Sequence, residues 1–416
     1  MANLSEYLSE LADAIRYNTK TNTIMKVNQM PNRASNFKGM VFLDNFKYES
    51  STITSYGTAA NIIGYHCFEN SNLISASFPK CRAICDYAFN NCSNLTTANF
   101  PICNHVGMNA FYSCTSLSNV NLSACTEIKK SAFAYCSSLT SAYFPNCSYI
   151  NAYAFVGCQN LSSISFPNCI SIGNYTFYGC SSLTYASFSL CSVINAYTFY
   201  DCIRLSTVNM PDCNLINDYA FYGCSSLTSA NFSLCSQIGT YAFYNCISLS
   251  NVNFLSCKSV GSSAFYGCSN LSEISLPEIT NVGISAFGNC TSLRSVDFSK
   301  CIIVAGYAFH NCTAMSIAFF SQCTNIIGNA FYGCTSLKTI KIPICEFIGA
   351  NAFTNCTLLS EVYLNQVSSV TRLGATTVFS SCTNLTSIYV PSSLYSDFRS
   401  ATYWSMASIK SKLVSV

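Results

Sequence analysis

Residues 224–245 read Cys224-Ser-Ser-Leu-Thr-Ser-Ala-Asn-Phe-Ser-Leu-Cys235-Ser-Gln-Ile-Gly-Thr-Tyr-Ala-Phe-Tyr-Asn245, and at Cys246 the pattern starts again. The period is 22 residues, and the unit generalises to C-x-x-L-x-x-(A/V/I)-x-F-x-x-C-x-x-I-G-x-x-A-F-x-x. Its leucine column runs from Leu73 through Leu95 and Leu117 to Leu359 in steps of 22, with Met315 as one substitute. Leu385 follows after 26, so four extra residues lie within 371–377 and bulge outward there; the chain holds 15 rungs. A fixed period of this length decides the architecture before any other reading.

Leu, then a small or β-branched residue, then Phe, at offsets 0, 3 and 5, describes a short strand with one buried face. Strands 22 residues apart are too far apart for hairpin pairing, so they stack in parallel, one per coil. Each coil buries its Leu, Phe, Ile and Ala against the coils above and below. The I-G-x-x-A-F half turns the chain back along the outer face through a short turn or a single helical turn. Its Gly supplies backbone freedom or close approach. Steps of roughly 4.8 Å give a rod or arc about 65–70 Å long.

The period, the L-x-x-(A/V/I)-x-F strand and the recurring A-F-x-x-C resemble the BspA-like (Treponema-type) leucine-rich repeats, over residues 61–391. The resemblance implies a repeat solenoid with a parallel sheet on one face. It carries little about function, because one fold hosts many. The chain departs from the commoner form in having little charge and a second Cys in each repeat.

Charged residues are 9% of the chain and the net charge is +3, with no basic run, which speaks against nucleic-acid binding. Mean hydropathy is positive, but no apolar stretch approaches the ~18 residues of a membrane span. The 28 cysteines fall mainly in two columns, one in A-F-x-x-C from Cys92 to Cys382 and one eleven residues later from Cys81 to Cys345. Asn70, Ile279 and Val367 replace members, so the slots want a small buried side chain more than a bonding partner. Rung-to-rung disulfides fit the coil spacing but require side chains that all point one way to turn toward each other. Metal binding lacks the close C-x-x-C pairing of zinc sites.

Three segments follow from this: residues 1–60, the array over 61–390, and a cap over 391–416. Apolar residues at 4, 8, 11, 12 and 15 predict a helix over 3–16, without the pattern of a secretory signal. Met40-Val-Phe-Leu and Thr52-Ile-Thr-Ser-Tyr read as irregular capping strands. The order Leu11-Ala-Asp-Ala-Ile-Arg16, a polar stretch, then Ile24-x-x-Val27-x-x-Met30-Pro31 resembles the small N-terminal module of phage tail and other virion structural proteins from gut Firmicutes. That resemblance implies attachment to other virion proteins through residues 1–56. An ordinary amphipathic cap over the first rung is the alternative. At the other end Val390-Pro391, Tyr395, Phe398 and Trp404 resemble the terminal cap of these repeat proteins, with the chain's single Trp as anchor.

His66, His105 and His310 occupy different repeat positions, the acids form no recurrent pair, and no phosphate-cradling Gly loop occurs, so no catalytic, cofactor or metal site is predicted. Two surfaces remain. The strand face presents Asn99, Asn121, Tyr143, Asn209, Asn231, Asn253 and Asp297 in one column and Tyr185 in the column beside it. Neutral and dotted with Tyr, this face suits glycan or protein recognition, or it merely satisfies a solvated sheet. The outer face carries Tyr153, Tyr175, Tyr197, Tyr219 and Tyr241, which pack rung on rung or form a lateral assembly contact, leaving an oligomer open. The functional expectation is a virion structural or receptor-binding protein that contacts host surface glycan or protein. A bacterial surface or secreted adhesin and a self-assembling architectural protein are the alternatives.

Overall fold

The computed structural model describes residues 60–416 and the two-residue strand Phe42–Leu43. The expected helix over 3–16, the segment around 23–31 and the strand within 52–56 lie outside the described residues. The array is a parallel β-solenoid. Nearly every coil supplies a three-residue strand such as Ser229–Asn231 and a two-residue strand such as Gln237–Ile238. Both pair in register with the next coil, Ser229 opposite Asn251 and Gln237 opposite Ser259.

The leucine-bearing half therefore forms the expected sheet, in segments. Strands run from Ser75–Ser77 to Asn119–Asn121, from Ser141–Tyr143 to Thr207–Asn209, across Ser229–Asn231 and Asn251–Asn253, and from Ser295–Asp297 to the C-terminus. Residues 273–275 occupy a strand position without forming one.

The other half, expected to be a short turn or a single helical turn, is a short turn preceded by an unexpected strand. It forms a second parallel sheet, from Phe42–Leu43 to Ser171–Ile172 and again from Val193–Ile194 to Arg372–Leu373. The turn after it is not helical. Tyr219 N–H donates to Thr240 O at 2.9 Å, Phe221 N–H to Ala242 O at 2.8 Å and Gly223 N–H to Tyr244 O at 2.9 Å, all in the next coil. Tyr219 and Gly223 sit at φ 57° and 71°, and a left-handed residue at every fourth position breaks any helix. Glycine in the I-G slot serves close approach. A Cβ on Gly239 would stand 2.5 Å from the Asn217 carbonyl carbon, and one on Gly261 2.6 Å from that of Gly239.

The core is a set of one-residue columns. Leu227, Ala230, Phe232, Cys235, Ile238, Ala242, Phe243 and Cys246 are all buried. Fully burying each Leu or Phe is worth roughly 1.5–3 kcal/mol. The A-F phenylalanines stack face to face, Phe221 on Phe243 at 5.0 Å and Phe243 on Phe265 at 5.1 Å. The strand phenylalanines meet them tilted, as Phe166 does Phe177 at 47°, or edge-on, as Phe254 does Phe243 at 5.8 Å and 66°.

The insertion near the end lies differently from the expectation. Phe347 pairs with Arg372 while Phe353 stacks on Phe379, so three of the four extra residues precede Arg372 and one follows Leu373. Thr371 is buried instead of bulging outward, because its hydroxyl donates to Cys345 O at 2.7 Å. The short helices Tyr395–Ser400 and Ala407–Lys410 follow, and the strand Leu413–Ser415 pairs in parallel with Ser387–Val390.

Candidate functional site

Most polar side chains on the strand face are committed to the neighbouring coil. The residue after each column leucine is Ser or Thr in most coils, and its hydroxyl donates to the carbonyl one coil back: Thr184 to Ser162 O and Ser206 to Thr184 O, both at 3.0 Å. The asparagines form amide ladders in the same sense. Asn121 Nδ2 donates to Asn99 Oδ1 at 2.8 Å, Asn253 to Asn231 at 3.0 Å, and Asn209 to the Ser187 hydroxyl at 3.3 Å. These groups stabilise a solvated sheet, and each amide keeps hydrogen-bonding capacity that faces outward.

Several first residues of the three-residue strands, Thr97, Asn119, Ser141, Thr207, Ser229 and Asn251, make no side-chain hydrogen bond among the described residues, and one patch adds free aromatic rings to them. In the sheet spanning Ser141–Tyr143 to Thr207–Asn209, Ser165 pairs with Tyr143 on one side and Ser163 pairs with Tyr185 on the other. The two tyrosines thus flank the strand Ser163–Ser165 diagonally, over two small hydroxyl-bearing residues. Tyr143 is 65% exposed and Tyr185 41%. Among the described residues, the side chains of Tyr143, Tyr185, Ser163 and Ser165 make no hydrogen bond and no ring contact. Asn121 and Asn209 lie at either end of the patch. Asp297, the remaining sequence candidate, belongs to a separate sheet beyond 273–275 and accepts from the Ser299 hydroxyl.

The outer face is organised oppositely. Tyr153, Tyr175, Tyr197, Tyr219 and Tyr241 stack with centroids 4.7, 4.4, 4.6 and 4.9 Å apart. A second column, Tyr178, Tyr200, Tyr222, Tyr244 and Tyr266, stacks at 4.6–4.9 Å. Ring faces are used up within each column, and only edges and hydroxyls reach solvent. A shallow groove of about 420 Å³ runs here, lined by residues of both columns together with Tyr135 and Val156. Burial and the neighbouring Asp201 push the Tyr200 phenol up to about 12, so it stays a donor at neutral pH.

Sequence reasoning named Tyr143 and Tyr185 separately and passed over Ser163 and Ser165 as site residues. It also passed over a stack at the C-terminal end of the strand face, where Lys341 lies 5.1 Å from the Phe319 ring and 5.5 Å from that of Tyr363, itself stacked on Tyr389 at 4.5 Å. These groups satisfy one another. The histidines are likewise apart: His66 Nδ1 meets Glu69 at 2.6 Å and His310 Nδ1 meets Tyr307 O at 2.7 Å. Burial, and then Lys129, hold His105 below the usual imidazole value. Among the described residues no three His, Cys, Asp or Glu side chains cluster as a metal site, and no helix is long and apolar enough to cross a membrane.

A family model described as a BspA type leucine-rich repeat region matches residues 61–184, 192–316 and 302–412. Among solved structures, a leucine-rich repeat protein from Bacteroides ovatus is 28% identical with a TM-score of 0.55, over 68% of this chain and 82% of that one. A leucine-rich cell surface protein from Faecalibacterium prausnitzii is 20% identical with a TM-score of 0.39, over 86% and 88%. A leucine-rich repeat protein from Eubacterium ventriosum is 18% identical with a TM-score of 0.40, over 76% and 83%. No curated protein matches the chain.

Proposed function

The chain belongs to the BspA-type leucine-rich repeat family, and from that premise we propose that it is a non-enzymatic recognition protein, displayed at a surface or secreted, whose strand face contacts glycan or protein on a neighbouring cell. The observation that carries this reading is the Tyr143–Ser163–Ser165–Tyr185 patch. It sets two exposed aromatic rings beside uncommitted hydroxyls on a face whose other outward strand residues are mostly Ser, Thr and Asn. A flat, in-register sheet holds such groups at fixed spacing without a loop to order on binding, which lowers the entropic cost of association.

The test is binding of fluorescent full-length chain to bacterial and epithelial cells. A variant with Asn121→Lys, Asn231→Lys and Asn253→Lys covers the strand face with charge, and one with Tyr200→Lys and Tyr244→Lys does so on the outer face. Loss with the first variant alone supports the reading. Loss with the second alone overturns it.

A second reading places the protein on a phage particle, with residues 1–56 attached to other virion proteins and the same face directed at the host. It is favoured by the order Leu11-Ala-Asp-Ala-Ile-Arg16 through Met30-Pro31. Mass spectrometry of particles purified from an induced culture of the source organism, beside washed envelopes, decides between the two. Stoichiometric copies in particles select the virion reading, and recovery in envelopes or medium alone removes it.

A further inference from the structure

We infer that Tyr143 and Tyr185 form a clamp over Ser163 and Ser165 that takes a neutral hexose-based glycan. The inference rests on the strand face being the recognition surface and names its ligand. The two tyrosines stand on strands two coils apart, roughly 9–10 Å, and two residues apart along the strands, roughly 6–7 Å, so their Cα atoms lie about 12 Å apart on a diagonal. The strand between them carries only serines outward, so a sugar ring lying across that strand meets no larger side chain between the two tyrosines.

The chemistry of the patch selects the ligand class. A pyranose presents C–H groups on its faces and hydroxyls at its rim, so it needs a free aromatic face and hydrogen-bonding partners in the plane of the sheet. Tyr143 and Tyr185 have free faces, unlike the tyrosines of the outer columns, which stack on one another at 4.4–4.9 Å. Ser163 and Ser165 supply uncommitted hydroxyls, and Asn121 Oδ1 accepts no bond within its ladder. No charged residue occurs in the three-residue strands of this face from Asn119–Asn121 to Ser229–Asn231, so no strand side chain there pairs with a sialic acid, uronate or sulfate. The patch is also too polar for the core of a protein interface. Its neighbours are Ser, Thr and Asn, while the exposed aliphatics Ile170, Leu190 and Ile203 lie outside the strands.

The experiment is an array of neutral hexose and N-acetylhexosamine oligosaccharides with acidic counterparts, probed with full-length wild type, Tyr143→Ala, Tyr185→Ala, the double variant and Tyr143→Phe. Both side chains are exposed and unpartnered, so these variants keep the fold; circular dichroism checks it. Each Ala substitution is expected to weaken neutral-glycan binding about tenfold and the double variant to abolish it. Tyr143→Phe, which keeps the ring face, is expected to stay within about threefold. Glycan binding that survives the double variant overturns the clamp, as does preference for acidic glycans. If no glycan binds while the triple-Lys strand-face variant still loses cell binding, the glycan assignment falls and the recognition reading stands. If that variant also binds cells normally, both fall.

Discussion

The thiol of Cys114 donates to the carbonyl oxygen of Phe89, one coil back, at 3.1 Å. The same oxygen accepts the N–H of Cys92 from its own turn at 3.2 Å. Both lone pairs of a fully buried carbonyl are thus engaged. The arrangement repeats with Cys136 on Phe111 and Cys158 on Phe133, through to Cys382 on Phe353, at 3.1–3.2 Å. Cysteine suits the slot because it is small, apolar and still a weak donor. None of the column cysteines is in a disulfide. Denatured, unreduced protein should therefore titrate one reactive thiol for each column cysteine, and a count near zero would contradict the ladder.

Burial makes these thiols sensitive to alkali. It pushes Cys125, Cys158, Cys213, Cys257 and Cys301 from 9.0 up to about 12. The folded values lie above the unfolded one, so their contribution is complete below about pH 9 and is lost as pH rises toward the folded values. At about pH 10 each costs roughly 1.4 kcal/mol, and these five together about 7 kcal/mol, comparable with the whole stability of many domains. Thermal melts in reductant should show Tm nearly constant from pH 6 to 8 and collapsing by pH 10. Equal Tm at pH 7 and pH 10 would show that the thiols are not buried as described.

The two cysteine columns should respond differently to substitution. Cys224 bonds across coils to Phe199 O at 3.1 Å, whereas Cys235 bonds within its own coil to Gln237 O at 3.2 Å. Val367 and Ile279 already fill the second column's slot and are buried there. Cys235→Val should change stability by less than about 1.5 kcal/mol. Cys224→Ala leaves the second lone pair of Phe199 O empty and opens a small cavity, at about 1–3 kcal/mol. Urea melts of the two variants side by side measure the difference, and equal midpoints would remove the distinction.

How far the sequence could be read follows the size of each signal. The strand sheet was legible because three apolar columns, Leu227, Ala230 and Phe232 in the quoted unit, specify one face. The second sheet was not, because its two-residue strands carry a single inward residue such as Ile238, beside an outward column that changes from Glu127 to Tyr149 to Ser171. The burial of Thr371 depends on a carbonyl, Cys345 O, which no side-chain pattern reports. Tyr143 and Tyr185 were legible singly; their placement on either side of one strand needs the register, which puts each one period from Ser165 and Ser163 respectively.

Tyr197 sits at φ 58° with its ring between Tyr175 at 4.4 Å and Tyr219 at 4.6 Å. A left-handed tyrosine costs about 1–2 kcal/mol, and the two stacks, each worth about 0.5–1.5 kcal/mol, offset it. Asn109, Asn329 and Asn351 occupy the equivalent position at φ 52°, 61° and 58°. Tyr197→Ala loses the stacks and keeps the strain, while Tyr197→Gly and Tyr197→Asn lose the stacks and relieve it. Stability should fall in the order Tyr, then Gly and Asn, then Ala, with Gly ahead of Ala by about 1 kcal/mol. Ala above Gly in chemical denaturation would refute the strained conformation.

Trp404 is buried, with its indole edge-on to Phe398 at 5.0 Å and its Nε1 donating to Thr371 O at 2.6 Å. It therefore ties the C-terminal segment to the insertion, and the inserted Thr371 ties that contact to Cys345 in the last regular coil. Being the single Trp, it reports its own environment. Native fluorescence should be blue-shifted, and its quenching by iodide weak. Trp404→Phe keeps most of the apolar contact but strands the Thr371 carbonyl, at about 1–3 kcal/mol. Trp404→Ala adds a cavity, at about 3–5 kcal/mol, and should open the end of the array first. Hydrogen exchange should then rise over 361–416 while the coils around Leu227 keep their protection. Uniform acceleration along the whole chain would mean that the solenoid unfolds as one unit and that the cap holds all of it.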